Sequence, residues 1–420
     1  MRFNYIIFFT LFLAGVLYPE PIVLTGKMLP AFLGKNIQDI RVTDRKGACI
    51  PFQIDEVEDN DYVCPDGKEP NNGNGVLDTA DEIVFLWEDA DRAAPLKSRK
   101  SRKPDNRCII TLSHGPEKRF VYLSNNPSIP LSTVSYIEYD NSKERIRTPY
   151  YYAFFGHDRF HFTHAGIKEC SNNAYLDLTN ELRIKIFLKT LWGLLPITYT
   201  EQSIICLVKR YKAGPVRLIR RGDFYLDLGF FLQGSNAAVN QICYPQMVRV
   251  PVYVHLPIRF RVLFKEAYIE MTPVLTDNAK DFSFEVPSRN LLFPLGVKDR
   301  TDTLIQMNPN HSCMMVHNSA MGYGWLLDAA MEEPMLGGSG YCVTIPSERI
   351  GIGHCGFRLT VRDLPKGYYL IGNWVLFSKN GIGGLLEACD RLSVMAKLNA
   401  TGNPVCYCNQ LDKIMPFRKR

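Results

Sequence analysis

Through much of the chain, apolar and polar residues alternate with a period of two. Leu182, Ile184 and Ile186 alternate with Arg183 and Lys185. Val248, Val250, Val252 and Val254 alternate with Arg249, Pro251, Tyr253 and His255, and Ile258, Phe260 and Val262 with Arg259 and Arg261. Successive side chains of a strand point to opposite faces, so each segment predicts a strand with one buried and one wet side. Further strands are expected at Pro21 to Leu24, Asp39 to Thr43, Cys49 to Ile54, Ile83 to Trp87, Thr133 to Tyr139, Gly324 to Leu327, Tyr341 to Ile345, Gly356 to Val361, Tyr368 to Leu376 and Leu392 to Leu398. Arg107 to Leu112 and Arg119 to Leu123 read as a hairpin around His114-Gly115-Pro116. Gly337-Gly338-Ser339-Gly340 and Gly381-Ile382-Gly383-Gly384 read as turns, and helical spacing is confined to a short segment opening near Leu385. The pattern predicts a mainly β protein, with antiparallel sheets packed as sandwiches in two domains. The polar stretch Asn141 to Arg147 marks the boundary, giving a signal peptide at 1–17, an N-terminal β domain at 18–146 and a large β-sandwich domain at 147–420.

The stretch from Ile50 to Trp87 departs from this regularity. Two apolar runs, IPFQIDE and EIVFLW, bracket a loop dense in Asn, Gly, Asp and Glu. Within it Asn72, Asn74, Gly75, Val76, Asp78 and Asp81 follow the spacing of an EF-hand-like calcium loop. The amide oxygens of Asn72 and Asn74, the Val76 carbonyl and the carboxylates of Asp78 and Asp81 suit a hard cation. Pro70 stands where the first carboxylate belongs, and Asp81 replaces the usual bidentate Glu, so any calcium affinity is expected to be weak. A metal-free Asx turn uses the same residues. The pairs Asp55-Glu56 and Asp81-Glu82 are sequence neighbours, which a strand sends to opposite faces, so neither is a ready acid–base pair.

IPFQIDE followed by NGVLDTADEIVF resembles a recurrent segment of large exported bacterial proteins, with a fainter likeness through Tyr211-Lys212-Ala213-Gly214-Pro215-Val216-Arg217. The resemblance covers under a tenth of the chain. It implies export and a β-rich fold, and it brings no catalytic residues.

Composition narrows the function classes. The 420 residues are 46% apolar and 22% charged with a net charge of +6, which fits a globular chain and does not call for a nucleic-acid partner. Arg2 and the apolar run Tyr5 to Leu17 form a Sec-type signal, so a periplasmic or secreted location is expected; the alternative is an uncleaved N-terminal anchor. No later run is long enough to span a bilayer as a helix. Twelve cysteines in an oxidising compartment predict several disulfides. The run Lys97 to Lys103 reads as a solvated basic loop.

Two sets of residues remain as candidate chemistry. His157, His161 and His164 cluster in GHDRFHFTH, and His157 and His161 are the candidates for an acid–base role. Arg183, Lys185, Arg249, Arg259, Arg261 and Tyr253, with Arg217, Arg220 and Arg221, would form a basic, aromatic sheet surface if their strands were neighbours. Arg forks take carboxylates bidentately and aromatic faces stack on sugars, so such a surface suits an acidic polysaccharide. The leading expectation is a non-enzymatic binding protein for an envelope or extracellular glycan or protein partner. The alternatives are a polysaccharide-lyase-like enzyme on a β-sandwich and a structural component of a surface assembly.

Overall fold

The computed structural model describes residues 20–388 apart from 60, 94–107, 115–116, 157–160, 170–173, 191–194, 202–203, 227–234, 257–258, 288–289, 296–302, 308–309, 330–336, 344–352, 364–365 and 387. The fold is mainly β, with antiparallel pairing throughout the described strands. Two sheets of ten strands and two of three account for most of it among the described residues. The first large sheet centres on the strands Tyr175–Thr190, Phe264–Leu275 and Gly353–Thr360, and the second on Gly322–Ala329, Gly367–Ser378, Met247–Leu256 and Leu218–Leu226. Three apolar clusters set the order of the layers. One lies between the two large sheets, where the Tyr151 ring stacks on Phe377 with centroids 4.1 Å apart. A second joins the other face of the second large sheet to the small sheet of Pro21–Thr25, Glu82–Leu86 and Phe52–Asp55. The third packs that small sheet on the other, made of Ile40–Thr43, Glu117–Asn125 and Cys108–His114.

This layering explains the unbroken apolar runs. In Glu82–Leu86, Ile83 and Phe85 point into the outer small cluster while Val84 and Leu86 point into the middle one. In Gly367–Ser378, Trp374 and Leu376 face the middle cluster while Val375 and Phe377 face the core between the large sheets. A strand buried on both sides loses its alternation.

Four local expectations are corrected. Ordered pairing in the segment Thr133 to Tyr139 begins only at Glu138–Asp140, because the Tyr136 N–H is drawn instead to the Pro215 carbonyl at 2.8 Å. Phe260–Leu263 is a helical turn closed by the Val262 N–H on the Arg259 carbonyl, and the strand starts only at Phe264. Gly337 to Gly340, expected as a turn, is already part of the strand Gly337–Val343, and residues 381–386 are helical with Leu385 buried. The expected disulfides are not formed among the described residues: Cys49, Cys64, Cys108 and Cys243 are thiols. Cys64 and Cys243 are buried in apolar clusters, and burial pushes both thiols up to about 12, so they behave as small core hydrophobes. The polar stretch Asn141 to Arg147 is the turn and second strand of a hairpin, Glu138–Asp140 with Arg145–Arg147. The signal segment 1–17, the basic run Lys97 to Lys103 and the strand expected at Leu392 to Leu398 lie outside the described residues. No helix among the described residues is long and apolar enough to cross a membrane.

The joint between the small sheets and the second large sheet is ionic as well as apolar. IPFQIDE and KAGPVR meet there. Arg217, buried, donates from Nε to Asp55 Oδ2 at 2.8 Å, from Nη2 to Glu82 Oε2 at 2.5 Å and from Nη1 to the Tyr244 hydroxyl at 3.0 Å. Lys212 Nζ stands 2.9 Å from Asp55 Oδ1 and donates to the Ile54 carbonyl at 2.6 Å. Gln53 Nε2 donates to Asp55 at 2.8 Å, and its Oε1 accepts the Arg217 N–H at 3.2 Å. A Cβ on Gly214 would fall 2.0 Å from Gln53 Oε1, so a larger residue there would displace the Gln53 amide from its bonds to Asp55 and Arg217. The acidic insertion then fastens to the sheet edge: Asp66–Gly67 pairs with Arg210 and Tyr211, and Asp61 takes Arg210 at 2.5 Å and Arg221 at 2.9 Å.

Burial alone would raise the Asp55 pKa, but Arg217 and Lys212 outweigh it and hold the carboxyl below its ordinary value. Its contribution to stability is therefore present above the ordinary carboxylate pKa and is lost as the pH falls through the folded-state value. Arg217→Met would leave that buried carboxylate with Lys212 as its counter-charge and Glu82 without the guanidinium, at a cost of about 3 kcal/mol. The urea midpoint should fall accordingly, and Asp55→Asn on the same background should restore part of the loss. A variant within about 0.5 kcal/mol of the parent would refute this role.

Candidate functional site

The Asx-rich loop is built from its own polar groups. Gly75, at φ +73, makes the left-handed turn, and its N–H donates to Glu56 Oε1 at 2.7 Å. Asn74 Oδ1 accepts the Val76 N–H and Asn74 Nδ2 donates to Asp78 Oδ2, both at 2.7 Å. Asp81 accepts the Val57 N–H at 2.8 Å and the Asp78 N–H at 2.6 Å, one on each carboxylate oxygen. Asn72 lies beside these residues and enters none of these bonds. The side chains expected to surround calcium thus close the loop on itself, as in an Asx turn. Among the described residues no group of three or more His, Cys, Asp or Glu side chains converges as a metal site.

Directly after the strand Glu82–Leu86, the turn Trp87–Asp89 carries Glu88, whose carboxylate oxygens are buried. Burial pushes the Glu88 carboxyl up to about 8, despite the Arg119 guanidinium nearby. Burial also raises Asp89, whose Oδ1 accepts the Tyr136 hydroxyl at 2.7 Å. The folded chain therefore holds a proton at Glu88 that the unfolded chain releases in the ordinary carboxylate range.

Of the histidine candidates, His157 lies outside the described residues. His161 sits just before the strand Phe162–Lys168, and His164 is exposed on that strand beside Phe154.

The basic candidates divide between the two large sheets. Arg183 and Lys185 project from Tyr175–Thr190 in the first, on the face away from the core. Arg249 lies in Met247–Leu256 of the second, with its guanidinium 5.2 Å from the Trp374 ring centre. Tyr253 belongs to that same strand, opposite Leu370; its side chain lies outside the described residues. Arg217 and Arg220 are buried, Arg220 donating to Glu144 at 2.6 Å and to Gln241 at 2.7 Å. Arg259 precedes the helical turn at one end of the first sheet, and Arg261 lies within it. The single basic surface imagined from alternation is therefore split, because alternation assigns a residue to a face and says nothing of which sheet its strand joins.

Around Lys185 the structure assembles a more definite surface. Cross-strand register sets Lys185 opposite Glu270 and Phe187 opposite Tyr268, then Glu270 opposite Arg358. The Phe187 and Tyr268 rings stack with centroids 4.9 Å apart. Lys185 Nζ lies 5.8 Å from the Phe187 centroid and 5.7 Å from that of Tyr268, and the Arg358 guanidinium lies 4.4 Å over Tyr268. Arg358 Nε donates to Glu270 at 2.5 Å, and Lys185 approaches the same carboxylate at 3.9 Å. One acidic group thus meets two cations, which leaves a positive balance beside an aromatic pair. Exposed Thr198 and Thr200 border it on the strand Pro196–Thr200. Phe187, Tyr268, Glu270 and Arg358 are absent from the sequence-derived candidates. Their signal was the wet half of predicted strands, which becomes informative only once register is known.

No protein-family model matches the chain, and no curated protein matches it. Among solved structures it overlaps an alpha-mannosidase from Enterococcus faecalis V583 at 8% identity and a TM-score of 0.45, covering 86% of this chain and 42% of that one. A protein in the glycosyl hydrolase family 38 from Enterococcus faecalis overlaps at 8% identity and 0.44, covering 86% and 41%. Slr1438 protein from Synechocystis sp. PCC 6803 overlaps at 7% and 0.34, covering 60% and 97%. The chain spans under half the length of the first two.

Two measurements check the loop and the joint. Asp81→Ala should lower stability by about 1–3 kcal/mol, the cost of two orphaned backbone donors, by the same amount with and without millimolar calcium. A calcium-dependent rise in Tm abolished by Asp78→Ala would instead place the ion in the loop. For Glu88, the raised folded-state pKa means that its stabilisation is complete below the ordinary carboxylate pKa and is lost as the pH rises toward about 8. Glu88→Gln should flatten the decline in urea stability between pH 5 and 8, and an unchanged slope would refute the buried proton.

Proposed function

We propose that this chain is an exported, non-catalytic binding protein for an anionic glycan of the cell envelope or its surroundings. The observation that carries the reading is the stacked pair of half-buried Phe187 and buried Tyr268 beside Lys185 and Arg358, on the face of the first large sheet turned away from the core. An apolar sugar face lies against the exposed edge of Phe187, while the uronate or sulfate of the same residue reaches the Lys185 ammonium and the neighbouring Arg183. Glu270, itself buried, orients Arg358 and Lys185. A sheet face meets a polymer along its length, which favours an extended chain over a small molecule. Export rests on the signal-like N-terminus.

Purified chain titrated calorimetrically with polyuronates and sulfated polysaccharides should bind at least one, and the double variant Lys185→Gln, Phe187→Ala should weaken that binding at least tenfold while its circular dichroism spectrum stays that of the folded parent. Absence of binding to every acidic glycan, or an unaltered affinity in the variant, would sink the proposal. Release of an unsaturated sugar from a polyuronate would show a lyase instead.

A further inference from the structure

A second surface lies at one end of the first large sheet, where three strands come level. Tyr175–Thr190 ends at Thr190, whose N–H points to the Leu195 carbonyl at 3.5 Å on one side. On the other side Thr190 faces Phe264, the first residue of Phe264–Leu275. Leu195 leads into Pro196–Thr200, and the helical turn Phe260–Leu263 leads into Phe264. Neighbouring strands are about 4.8 Å apart, so Leu195 and Leu263 are separated by roughly two strand spacings.

The residues gathered there are not those of an ordinary sheet end. Leu195 is 66% exposed, Val262 60% and Leu263 38%. A lone exposed leucine needs no explanation, but three large apolar side chains at one edge do. Around them stand Arg259, Arg261 and Lys265, all exposed, and half-buried Lys189, while the carboxylate at this end of the strands is Glu266, opposite Lys189 in the ladder. None of the four cations forms an ion pair among the described residues. This contrasts with Arg217, Arg220 and Arg221, whose charges are each met by an acid.

We propose that this end of the sheet seats on the surface of an anionic lipid bilayer. Exposed Leu and Val side chains enter the boundary between headgroups and acyl chains, while the four cations meet anionic headgroups around them. The charge complementarity selects the occupant: a purely apolar protein partner would leave four cations without counter-charge. The site differs from the Phe187–Tyr268 surface in its residues and stands whether or not a glycan binds there.

Flotation of the full chain with vesicles of phosphatidylglycerol and phosphatidylcholine in equal parts tests it, with pure phosphatidylcholine as reference. The chain should float with the anionic vesicles only. Arg259→Gln with Arg261→Gln should reduce partitioning about 25-fold, roughly fivefold for each charge removed. Val262→Asp with Leu263→Asp should abolish partitioning with Tm unchanged, as these side chains are exposed. Lys185→Gln with Phe187→Ala should leave flotation unaltered, which separates this surface from the glycan one. Failure to float, flotation that survives loss of the apolar pair, or equal loss in the Lys185 variant would each overturn the proposal.

Discussion

Arg217 is the constraint on which the arrangement of layers depends. A guanidinium with almost no access to water must be met by acids and acceptors, and it finds them on three separate elements: Asp55, Glu82 and Tyr244. Two of these belong to the small sheet, and Tyr244 lies in the turn that joins Ser235–Cys243 to Met247–Leu256 of the second large sheet. A buried ion pair adds little net energy over a well-packed apolar alternative. Its effect is on the alternatives: a one-residue slip of Phe52–Asp55 against Glu82–Leu86 would turn Asp55 to the other face and leave Arg217 charged in an apolar joint. The apolar clusters supply adhesion, and the ion network sets the register at which adhesion is allowed.

The same network gives the resemblance noticed in the sequence a physical meaning. IPFQIDE contributes Gln53 and Asp55, the second apolar run contributes Glu82, and KAGPVR contributes Lys212, the close-packed Gly214 and Arg217. Segments some 160 residues apart read as related motifs because they are two halves of one joint. The acidic and basic groups of these motifs are taken up by one another, and the Asx-rich loop closes on its own groups in the same way.

Much of the fold was legible because period-two alternation is a direct projection of the pleat. Tyr175–Thr190 and Met247–Leu256 lie where alternation placed them, and the hairpin of Cys108–His114 with Glu117–Asn125 forms around the expected turn. Legibility ended where tertiary partners decided. Phe260 and Val262 alternate like a strand, yet helical spacing over so short a run differs little from it, and the ladder has no place before Phe264. Gly337 to Gly340 reads as a turn from its glycines, but the strands Thr303–Met307 and Gly353–Thr360 on either side hold it extended as part of Gly337–Val343. The disulfide expectation rested on compartment and parity, whereas Cys64 and Cys243 serve as packing in apolar clusters.

The candidate surfaces were half legible for a related reason. Arg183 and Lys185 were found from alternation, but Phe187 and Tyr268 become one feature only through cross-strand register. The layering supplies the remaining step. The second large sheet is covered on one face by the core between the large sheets and on the other by the middle cluster. The first large sheet shares that core on one face only, and its opposite face carries Lys185, Phe187 and Arg358. Charges on the second sheet are therefore drawn into structure, as Arg217 and Arg220 are, while the unmatched cations at Lys189, Arg259, Arg261 and Lys265 collect at an end of the first. Burial satisfies a charge because leaving it unmatched costs too much, so an excess of positive charge survives only where water meets it. That is the physical reason to look for this protein's partners along the first large sheet rather than at the motif that stands out in its sequence.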